Sequence, residues 1–499
     1  MEMSSSPATA AFHRPPAWPA DAVVYQIFPD RFRRSGRAPA QQGLVLEPWG
    51  SPPSPHGFQG GDLFGVIDAL DELQALGVSC LSLNPIVSSA ANHRYHAYDY
   101  RTVDPLLGGD AALDALIAAL QGRGMRLLLD GVFNHCGRGF WPFHHLLENG
   151  PASPYRDWFV VEEWPLQAYP SGGGHAGRCG YHCWWNDPAL PKFNHAHPPV
   201  RDYLLGVGRH WLERGIDGWR LDVPDEVPAD FWVEFRRMVR QVNPEAWIVG
   251  EIWGDARAWL GGDRFDGVMN YPIAWSTLGF VADGRLQPGH ARTSIPYRCL
   301  DGAAYAAVLE ESFGWYRPEV RLAQLNLLDG HDVPRALHML QGDARALRLA
   351  LLLLFVLPGA PCLYYGTEAG LDGGAEPACR EAFPWGDPSG WRHDLRPVIT
   401  SLTGLRRRWP QLRQPGLQLE VLQGPSGAQG LALERGEAGE EPLRVVVNPS
   451  RREGLPLESA AAELEVLWPP QRAGSSPPAV LEPQEALVLA PLRRAGPRG

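Results

Sequence analysis

Short apolar runs along the chain alternate with longer segments in which apolar residues recur every three or four positions. The first pattern is typical of buried strands and the second of amphipathic helices. Leucines at 70, 73 and 76, spaced three apart, precede Gly77, which predicts a helix ending at that glycine. The same patterns predict eight strands, at residues 23–28, 78–85, 126–134, 218–223, 247–252, 267–271, 320–328 and 361–365.

Strands separated mainly by helices predict an α/β fold, a (β/α)8 TIM barrel whose active site lies at the carboxyl ends of its strands. The barrel is predicted over residues 23–135 and 201–410, after an N-terminal tail at 1–22. Residues 136–200 follow the third strand, are rich in Gly, Pro, Trp and His, and predict an inserted domain over the active site. Short alternating runs in 411–499 predict a C-terminal antiparallel β-sandwich domain.

Charge and composition narrow the class of protein. The formal net charge of -11 opposes binding to nucleic acid, so no nucleic-acid partner is expected. The most apolar run, residues 349–357, is too short to cross a bilayer and predicts a buried helix that ends before Pro358. No secretion signal is visible in residues 1–22, and the seven scattered cysteines favour reduced thiols. These features predict a cytoplasmic protein without a membrane partner, and they leave its oligomeric state open.

Four of the predicted barrel strands end in or continue into polar clusters, which a purely structural strand would not need. Side chains two apart on a strand share a face, so Arg220 and Asp222 should both point into the barrel, as should Asp130 and Asn134. The clusters, in chain order, are DGVFNH at 130–135, GWRLDV at 218–223, GEIW at 250–253 and LLDGHD at 327–332. We therefore expect a ring of carboxylates, histidines and one arginine inside the barrel mouth.

Such a ring suits glycoside hydrolysis, which needs one ionised carboxylate and one protonated carboxyl group. Arg220 would keep Asp222 ionised, which makes Asp222 the predicted nucleophile. Glu251 has more apolar sequence neighbours and is the predicted general acid and base. A retaining enzyme would hold the two carboxyl groups roughly 5–5.5 Å apart.

The four clusters, in this order, resemble the signature regions of the α-amylase family of glycoside hydrolases, family 13, over roughly residues 23–410. The resemblance implies Asp222 as nucleophile, Glu251 as acid/base and Asp332 as a third carboxylate that stabilises the transition state. Its implied substrate-binding residues include Tyr98, which would stack on the sugar, with nearby His96 and Asp99, and also His135, Arg220 and His331. Trp253, two residues after Glu251, is also predicted to bind the substrate.

Three further segments, residues 58–78, 190–194 and 376–385, resemble the neopullulanase, cyclomaltodextrinase and maltogenic amylase group, and imply Arg380 near the substrate. That group carries an N-terminal β-domain of over a hundred residues, whereas here about 22 residues precede the first strand. The family's usual calcium loop reads Arg33-Arg34 here, and arginines are poor neighbours for a hard dication. No cofactor or metal is therefore predicted, although calcium stays an alternative.

Two features of the inserted segment have more than one interpretation. His175, Cys179, His182 and Cys183 match no common zinc spacing, so packing is favoured over a metal site. Trp184-Trp185 is either a sugar-stacking platform or part of a local core.

The sequence as a whole predicts a retaining glycosidase. It would cleave α-1,4-glucosidic bonds in maltodextrin-like oligosaccharides by double displacement. Cleavage of α-1,6 bonds is a further candidate activity. One alternative is a transglucosidase that moves a glucosyl unit to a sugar or polyol. A second, from another class, is a non-catalytic sugar-binding barrel.

Overall fold

A computed structural model describes residues 12–170, 179–287, 296–457 and 463–492 of the chain. Its strands are β1 Val24–Ile27, β2 Cys80–Leu83, β3 Val87–Ser89, β4 Ala97–Val103, β5 Arg126–Gly131, β6 Gly218–Leu221, β7 Trp247–Gly250, β8 Gly267–Asn270, β9 Leu325–Asn326, β10 Ala360–Tyr364, β11 Leu417–Gln423, β12 Gln429–Arg435, β13 Leu443–Asn448, β14 Leu455–Pro456, β15 Leu464–Trp468, β16 Val480–Leu481 and β17 Glu485–Pro491. Its α-helices are α1 Pro29–Phe32, α2 Leu63–Asp68, α3 Leu70–Leu76, α4 Gly109–Gln121, α5 Trp141–Asn149, α6 Pro198–Glu213, α7 Ala229–Val242, α8 Tyr271–Val281, α9 Gly302–Gly314, α10 Pro318–Leu322, α11 Ala336–Met339, α12 Ala344–Val356 and α13 Leu395–Arg408.

Eight parallel strands close into a barrel in the order β1-β10-β9-β8-β7-β6-β5-β2. Each of the eight lies within or overlaps a strand predicted from the sequence, so the predicted (β/α)8 fold is confirmed. The pairing of β5 with β6 aligns Asp130 with Arg220. Because paired residues of parallel strands point the same way, this register brings two of the predicted polar side chains together at the barrel mouth.

Below that mouth the barrel is filled with apolar side chains. One buried cluster takes residues from seven of the eight barrel strands: Val24, Cys80, Leu128, Trp247, Val249, Met269, Leu325, Ala360 and Cys362. On β1, β5 and β6 the residue two positions beyond an inward small or apolar one is polar, namely Gln26, Asp130 and Arg220. The alternation of each strand therefore places a polar layer on an apolar floor, which excludes water from beneath the polar groups.

Most barrel strands are shorter than the sequence predicts, and the difference is most consequential at 320–328 and 126–134. Residues 318–322 form α10, which begins at Pro318, and β9 contains only Leu325 and Asn326. Proline fits the first turn of a helix, where its missing N–H is not needed. Strand β5 ends at Gly131, so the inward alternation stops before Asn134, whose side chain instead contacts His135 Nδ1 at 3.3 Å.

The predicted helices agree with the structure, with one division. The helix expected before Gly77 is split into α2 and α3 at Ala69, and Gly77 ends it with a left-handed φ of 95°. Helix α12 covers the apolar run and, as predicted, ends before Pro358. It begins at Asp343, whose carboxylate accepts hydrogen bonds from two backbone N–H groups.

The inserted segment between β5 and α6 contains α5 and several isolated bridges, including Phe159 with Phe193 and Val161 with Tyr181. Aromatic rings form its core, and Phe143 packs edge-on against both Phe159 and Tyr181 at 4.9 Å. This segment meets the barrel mouth where the Lys192 ammonium lies 2.9 Å from a Glu226 carboxylate oxygen, just after β6. His175 of the zinc alternative lies outside the described residues.

The C-terminal domain is antiparallel, as predicted. Five strands form one sheet in the order β11-β12-β13-β17-β15, and β14 pairs with β16 in a second sheet of two strands. Buried side chains from both sheets, among them Leu455, Leu481 and Leu487, form a common apolar cluster. Within the described residues, no helix combines the length and apolar character that crossing a membrane requires.

Candidate active site

Arg220 is the centre of the polar layer in the barrel mouth, and it is buried among four carboxylates. Its Nη1 donates hydrogen bonds to Asp130 Oδ1 at 2.9 Å and to Asp222 Oδ1 at 2.8 Å. Its Nη2 lies 2.9 Å from Glu251 Oε1 and 3.9 Å from Asp332 Oδ2. Four acids around one guanidinium leave excess negative charge, so the cluster favours holding at least one proton.

The two central carboxyl groups come from the ends of neighbouring strands. Asp222 follows β6, Glu251 follows β7, and the backbone N–H of Glu251 donates to the carbonyl of Leu221 at 3.0 Å. Glu251 Oε2 also accepts a hydrogen bond from the Val223 N–H at 3.1 Å. Val223 has a left-handed φ of 34°, which is costly for a β-branched residue. This backbone turn therefore places an N–H group against the Glu251 carboxyl.

The pKa values of these groups are moved by burial and by their neighbours. Burial raises the pKa of Glu251 to about 7, against the opposing effect of Arg220 and with help from the charge of Asp332. Burial also raises the pKa of Asp222, and Arg220 again opposes the shift. For Asp332 the pKa is lowered, because His331, Arg380 and Arg220 outweigh burial. The site thus contains a strongly ionised carboxylate and an acid that can hold its proton near neutral pH.

His331 and Tyr95 connect the acids to one another. His331 Nε2 lies 2.8 Å from Asp332 Oδ2 and 2.7 Å from the Tyr95 hydroxyl. The Tyr95 hydroxyl donates to Asp130 Oδ2 at 2.7 Å, and its ring stacks on His331 with 5.5 Å between centroids. The amide groups of Gln26 and Asn84 both direct N–H donors at His331 Nδ1. This arrangement fixes the tautomer in which Nε2 carries the hydrogen and donates to Asp332.

Arg380 reaches the same group of residues from the loop after β10. Its Nη2 donates to Asp332 Oδ1 at 3.3 Å, and its Nε donates to the backbone carbonyl of His331 at 2.9 Å. Its Nη1 lies 2.8 Å from Glu376 Oε1 in an ion pair. The structure therefore brings together six of the predicted site residues: Arg220, Asp222, Glu251, His331, Asp332 and Arg380.

The loop after β2 differs from the sequence interpretation. Tyr95, rather than Tyr98, contacts the carboxylate cluster, while the Tyr98 ring lies against Gly137 and Gly139 at the start of the inserted segment. Tyr98 belongs to β4, whereas Tyr95 lies in the loop before that strand. Asp99 is exposed and accepts a hydrogen bond from the Arg101 N–H.

Histidines also lie in this loop. The ring of His93 is stacked beside Tyr95 at 5.8 Å and meets the ring of His96 edge-on at 4.8 Å. Burial lowers the pKa of His93, as do the positive charges near it. Sequence reasoning did not select Tyr95 or His93. The signal available was their position in the loop that directly follows a barrel strand, before the alternation of β4 begins.

His135 and Trp253 lie in separate aromatic contacts. His135 is buried and stacked on Trp184 at 5.2 Å, and Trp184 stacks on the exposed Trp185 at 5.0 Å. Burial lowers the pKa of His135 to about 3, so the ring is neutral at physiological pH. Trp253 stacks on Tyr271 at 3.9 Å with nearly parallel planes.

Comparison with known proteins identifies the family. Residues 26–387 match a model described as the alpha amylase catalytic domain. The chain belongs to the α-amylase family of glycoside hydrolases. Within this family, a cyclomaltodextrinase from Bacillus sp is 41% identical over 402 residues, which are 80% of this chain and 68% of that protein. Family membership confirms the predicted class of enzyme.

Two solved structures of α-amylase-family proteins resemble the whole fold. The first is a cyclic α-maltosyl-(1→6)-maltose hydrolase from Arthrobacter globiformis in complex with that sugar. It is 37% identical, has a TM-score of 0.84, and the match covers 96% of this chain and 100% of that chain. A debranching enzyme from Nostoc punctiforme is 40% identical, with a TM-score of 0.83 and coverage of 96% and 99%.

The calcium loop common in the α-amylase family does not fit a dication here. Arg34 donates to the backbone carbonyls of Gln59 and Glu47, and the Arg33 guanidinium lies over the Trp385 ring. The nearby Asp62 carboxylate already accepts hydrogen bonds from Ser35 and Gly65. Across the described ranges, no group of three or more His, Cys, Asp or Glu side chains is arranged to hold a metal.

Proposed function

We propose that this protein hydrolyses α-glucosidic bonds in maltodextrin-like oligosaccharides with retention of configuration. The observation that carries the proposal is the shared guanidinium of Arg220, which lies 2.8 Å from Asp222 and 2.9 Å from Glu251 at the ends of adjacent barrel strands. A nucleophile and an acid held side by side in this way can act on one glycosidic bond.

Hydrogen-bond geometry supports the division of roles between the two carboxyl groups. Arg220 Nη1 donates a hydrogen bond to Asp222, whereas the contact between Nη2 and Glu251 is a charge contact without hydrogen-bond geometry. The hydrogen bond from Arg220 stabilises the anionic form of Asp222 and opposes the rise in its pKa that burial causes. Glu251, with a pKa of about 7, is the group that holds the proton.

The reaction then proceeds in two displacements. Asp222 attacks the anomeric carbon while Glu251 gives its proton to the leaving glycosidic oxygen, which forms a glucosyl ester on Asp222. Glu251, now a carboxylate, takes a proton from water as that water attacks the ester. Ionised Asp332, held by Arg380 and His331, would accept hydrogen bonds from sugar hydroxyls and stabilise the positive charge of the transition state.

The substrate class is proposed from the chemistry of the named relatives. One relative is named for cyclic maltodextrins and another for a cyclic tetrasaccharide that contains α-1,6 bonds. We infer that this chain accepts short or cyclic α-glucans and that both α-1,4 and α-1,6 bonds are candidates for cleavage. A cytoplasmic location also stays a proposal, supported by the odd number of scattered cysteines.

Product analysis on maltotriose, pullulan and β-cyclodextrin tests this proposal. We expect glucose and maltose from maltotriose, and cleavage about 10³-fold slower by the Glu251→Gln variant. Glu245→Gln is the matched control, because Glu245 is an exposed glutamate just before β7. Products longer than maltotriose would indicate that a sugar intercepts the intermediate, which would replace hydrolysis with transglucosylation. Equal behaviour of wild type and Glu251→Gln would contradict the enzymatic proposal.

A further inference from the structure

Two cysteine side chains of the inserted segment lie against each other and take no part in the proposed reaction. The Sγ atoms of Cys179 and Cys183 are 3.6 Å apart. Cys179 is buried and Cys183 is partly exposed. The Cys179 thiol also donates a hydrogen bond to the backbone carbonyl of Tyr181 at 3.1 Å. Because a disulfide holds its sulfurs about 2.0 Å apart, the two would have to approach by about 1.5 Å to form one.

The backbone between the two cysteines is held in a tight turn. The carbonyl of Cys179 accepts a hydrogen bond from the Gln167 N–H at 3.0 Å, and the carbonyl of Gly180 accepts one from the Glu163 N–H at 3.1 Å. Gly180 has a left-handed φ of 81°, and a Cβ atom there would lie 2.4 Å from the carbonyl oxygen of Glu163. Glycine fits this position because it has no Cβ atom. The turn therefore keeps the two thiols close together.

The surroundings of the pair favour a disulfide that forms and breaks over a permanent one. A bond between cysteines four residues apart closes a short loop, which stabilises a folded chain less than a long loop does. Burial raises the pKa of Cys183 to about 12, and the Cys179 thiol and the carboxylates of Asp187 and Glu162 add to the rise. Little of the reactive thiolate is therefore present at neutral pH, so the pair stays reduced until an oxidant accumulates.

Cys183 is linked to a predicted substrate-binding residue through the side chain that follows it. Trp184 comes directly after Cys183, and its ring stacks on His135 at 5.2 Å. The Trp184 indole N–H also donates to a carboxylate oxygen of Glu226, just after β6, at 3.1 Å. Movement of Cys183 toward the other thiol would therefore shift Trp184 against both of these partners.

We propose that Cys179 and Cys183 form a reversible disulfide that weakens substrate binding through Trp184. The oxidant is a small disulfide, for which oxidised glutathione is the probe. The thiolate of the partly exposed Cys183 attacks one glutathione sulfur and releases the other as a thiolate; the Cys179 thiolate then attacks Cys183 Sγ and releases the second. The two cysteines lose two electrons and two protons, and the glutathione disulfide becomes two thiols. The effect on substrate binding rests on the proposed function, whereas the bond itself does not.

Peptide mapping of the full-length protein tests the bond. The protein is equilibrated with oxidised glutathione, its remaining thiols are alkylated, and it is digested with trypsin. Both cysteines then lie in one peptide, residues 179–192, because trypsin cleaves after Arg178 and Lys192. We expect this peptide to carry no alkyl group and to be lighter by two hydrogen atoms, and dithiothreitol should restore both thiols. Cys299→Ser, which removes an exposed cysteine elsewhere, is the matched control and should give the same result.

Steady-state kinetics on maltotriose test the effect of the bond. Oxidised wild type should have a KM about threefold or more above that of reduced wild type, with kcat changed by less than about twofold, because the catalytic acids are unaltered. Cys183→Ser cannot form the bond, so its KM should be the same in oxidising and reducing buffer. Thermal unfolding of this variant confirms that the chain is folded.

Three outcomes separate the parts of the proposal. Two alkylated thiols in peptide 179–192 after oxidation, or glutathione left attached to Cys183, would overturn the disulfide. A disulfide that leaves the KM of wild type unchanged would overturn the link through Trp184. If neither redox form cleaves maltotriose while the bond still forms, the proposed function fails and the disulfide stands.

Discussion

Replacement of Glu251 by glutamine removes the proton donor of the proposed reaction while keeping the side-chain size. A positioned general acid contributes about 10²–10⁴-fold to the rate. We therefore expect kcat/KM for maltotriose to fall about 10³-fold in Glu251→Gln. The Val223 N–H that contacts Glu251 at 3.1 Å can still donate to the amide oxygen, so the fold should persist.

The pKa of Glu251 also predicts how the activity of the wild-type enzyme changes with pH. Because the pKa of Glu251 is about 7 and the protonated form is the acid, activity of wild type should fall as pH rises through about 7. One pH unit above the pKa, roughly a tenth of the enzyme still holds the proton, so kcat/KM should fall about tenfold per unit there. Glu251→Gln should lack this alkaline decline, since it has no proton to lose at that position.

An activated substrate separates proton donation from loss of structure. 4-Nitrophenyl maltoside has a leaving group that needs no proton, so Glu251→Gln should form the glycosyl ester on Asp222 and then stall, and added azide should restore turnover. The exposed variant Glu245→Gln should match wild type in rate and pH profile. A Glu251→Gln protein within threefold of wild type on maltotriose, or with the alkaline decline intact, would refute the assignment.

Three further predictions follow from the described contacts. Arg220→Ala should destabilise the fold by about 3–5 kcal/mol, because it leaves buried carboxylates unpaired, and should abolish turnover. Arg209→Ala removes only a surface ion pair with Glu213 and should change the free energy of unfolding in urea by less than about 1 kcal/mol. Tyr95→Phe should lower kcat/KM about tenfold or more through lost hydrogen bonds to Asp130 and His331, and Tyr98→Phe should lower it less than threefold, as steady-state kinetics would show. Leu352→Ala, at a fully buried position of α12, should lower stability by about 2–5 kcal/mol in the same urea titrations while the folded protein keeps its activity.

Sequence patterns predicted the barrel because its signals are local. Each barrel strand is a short apolar run, and each polar cluster lies at or just beyond the carboxyl end of its strand, so Asp222 and Glu251 could be placed from the sequence alone. Gly77 and Pro358 ended helices where their backbone chemistry requires. The exception is residues 320–328, where apolar content indicated one long strand, but a proline-initiated helix takes the first three residues and β9 only two.

Contacts between distant loops could not be predicted in the same way. Tyr95 and Tyr98 are three residues apart in one aromatic segment, and only the start of β4 decides which of them meets Asp130. The left-handed backbone at Val223, which turns an N–H toward Glu251, could not be predicted either. Glycine is the residue expected at such a φ, and a valine does not indicate one. The position of a residue along a strand is determined by the local sequence pattern. The shape of a loop depends on packing between segments that are distant in the sequence.

The configuration of the first product tests the central mechanism most directly. Proton NMR during the first minutes of maltotriose cleavage resolves the two anomers at the newly formed reducing end before they interconvert. Asp222 attacks one face of the anomeric carbon, and water then attacks the opposite face, where the leaving group stood, so the α-anomer should appear first and the β-anomer grow in later. Initial formation of the β-anomer would contradict a covalent intermediate on Asp222.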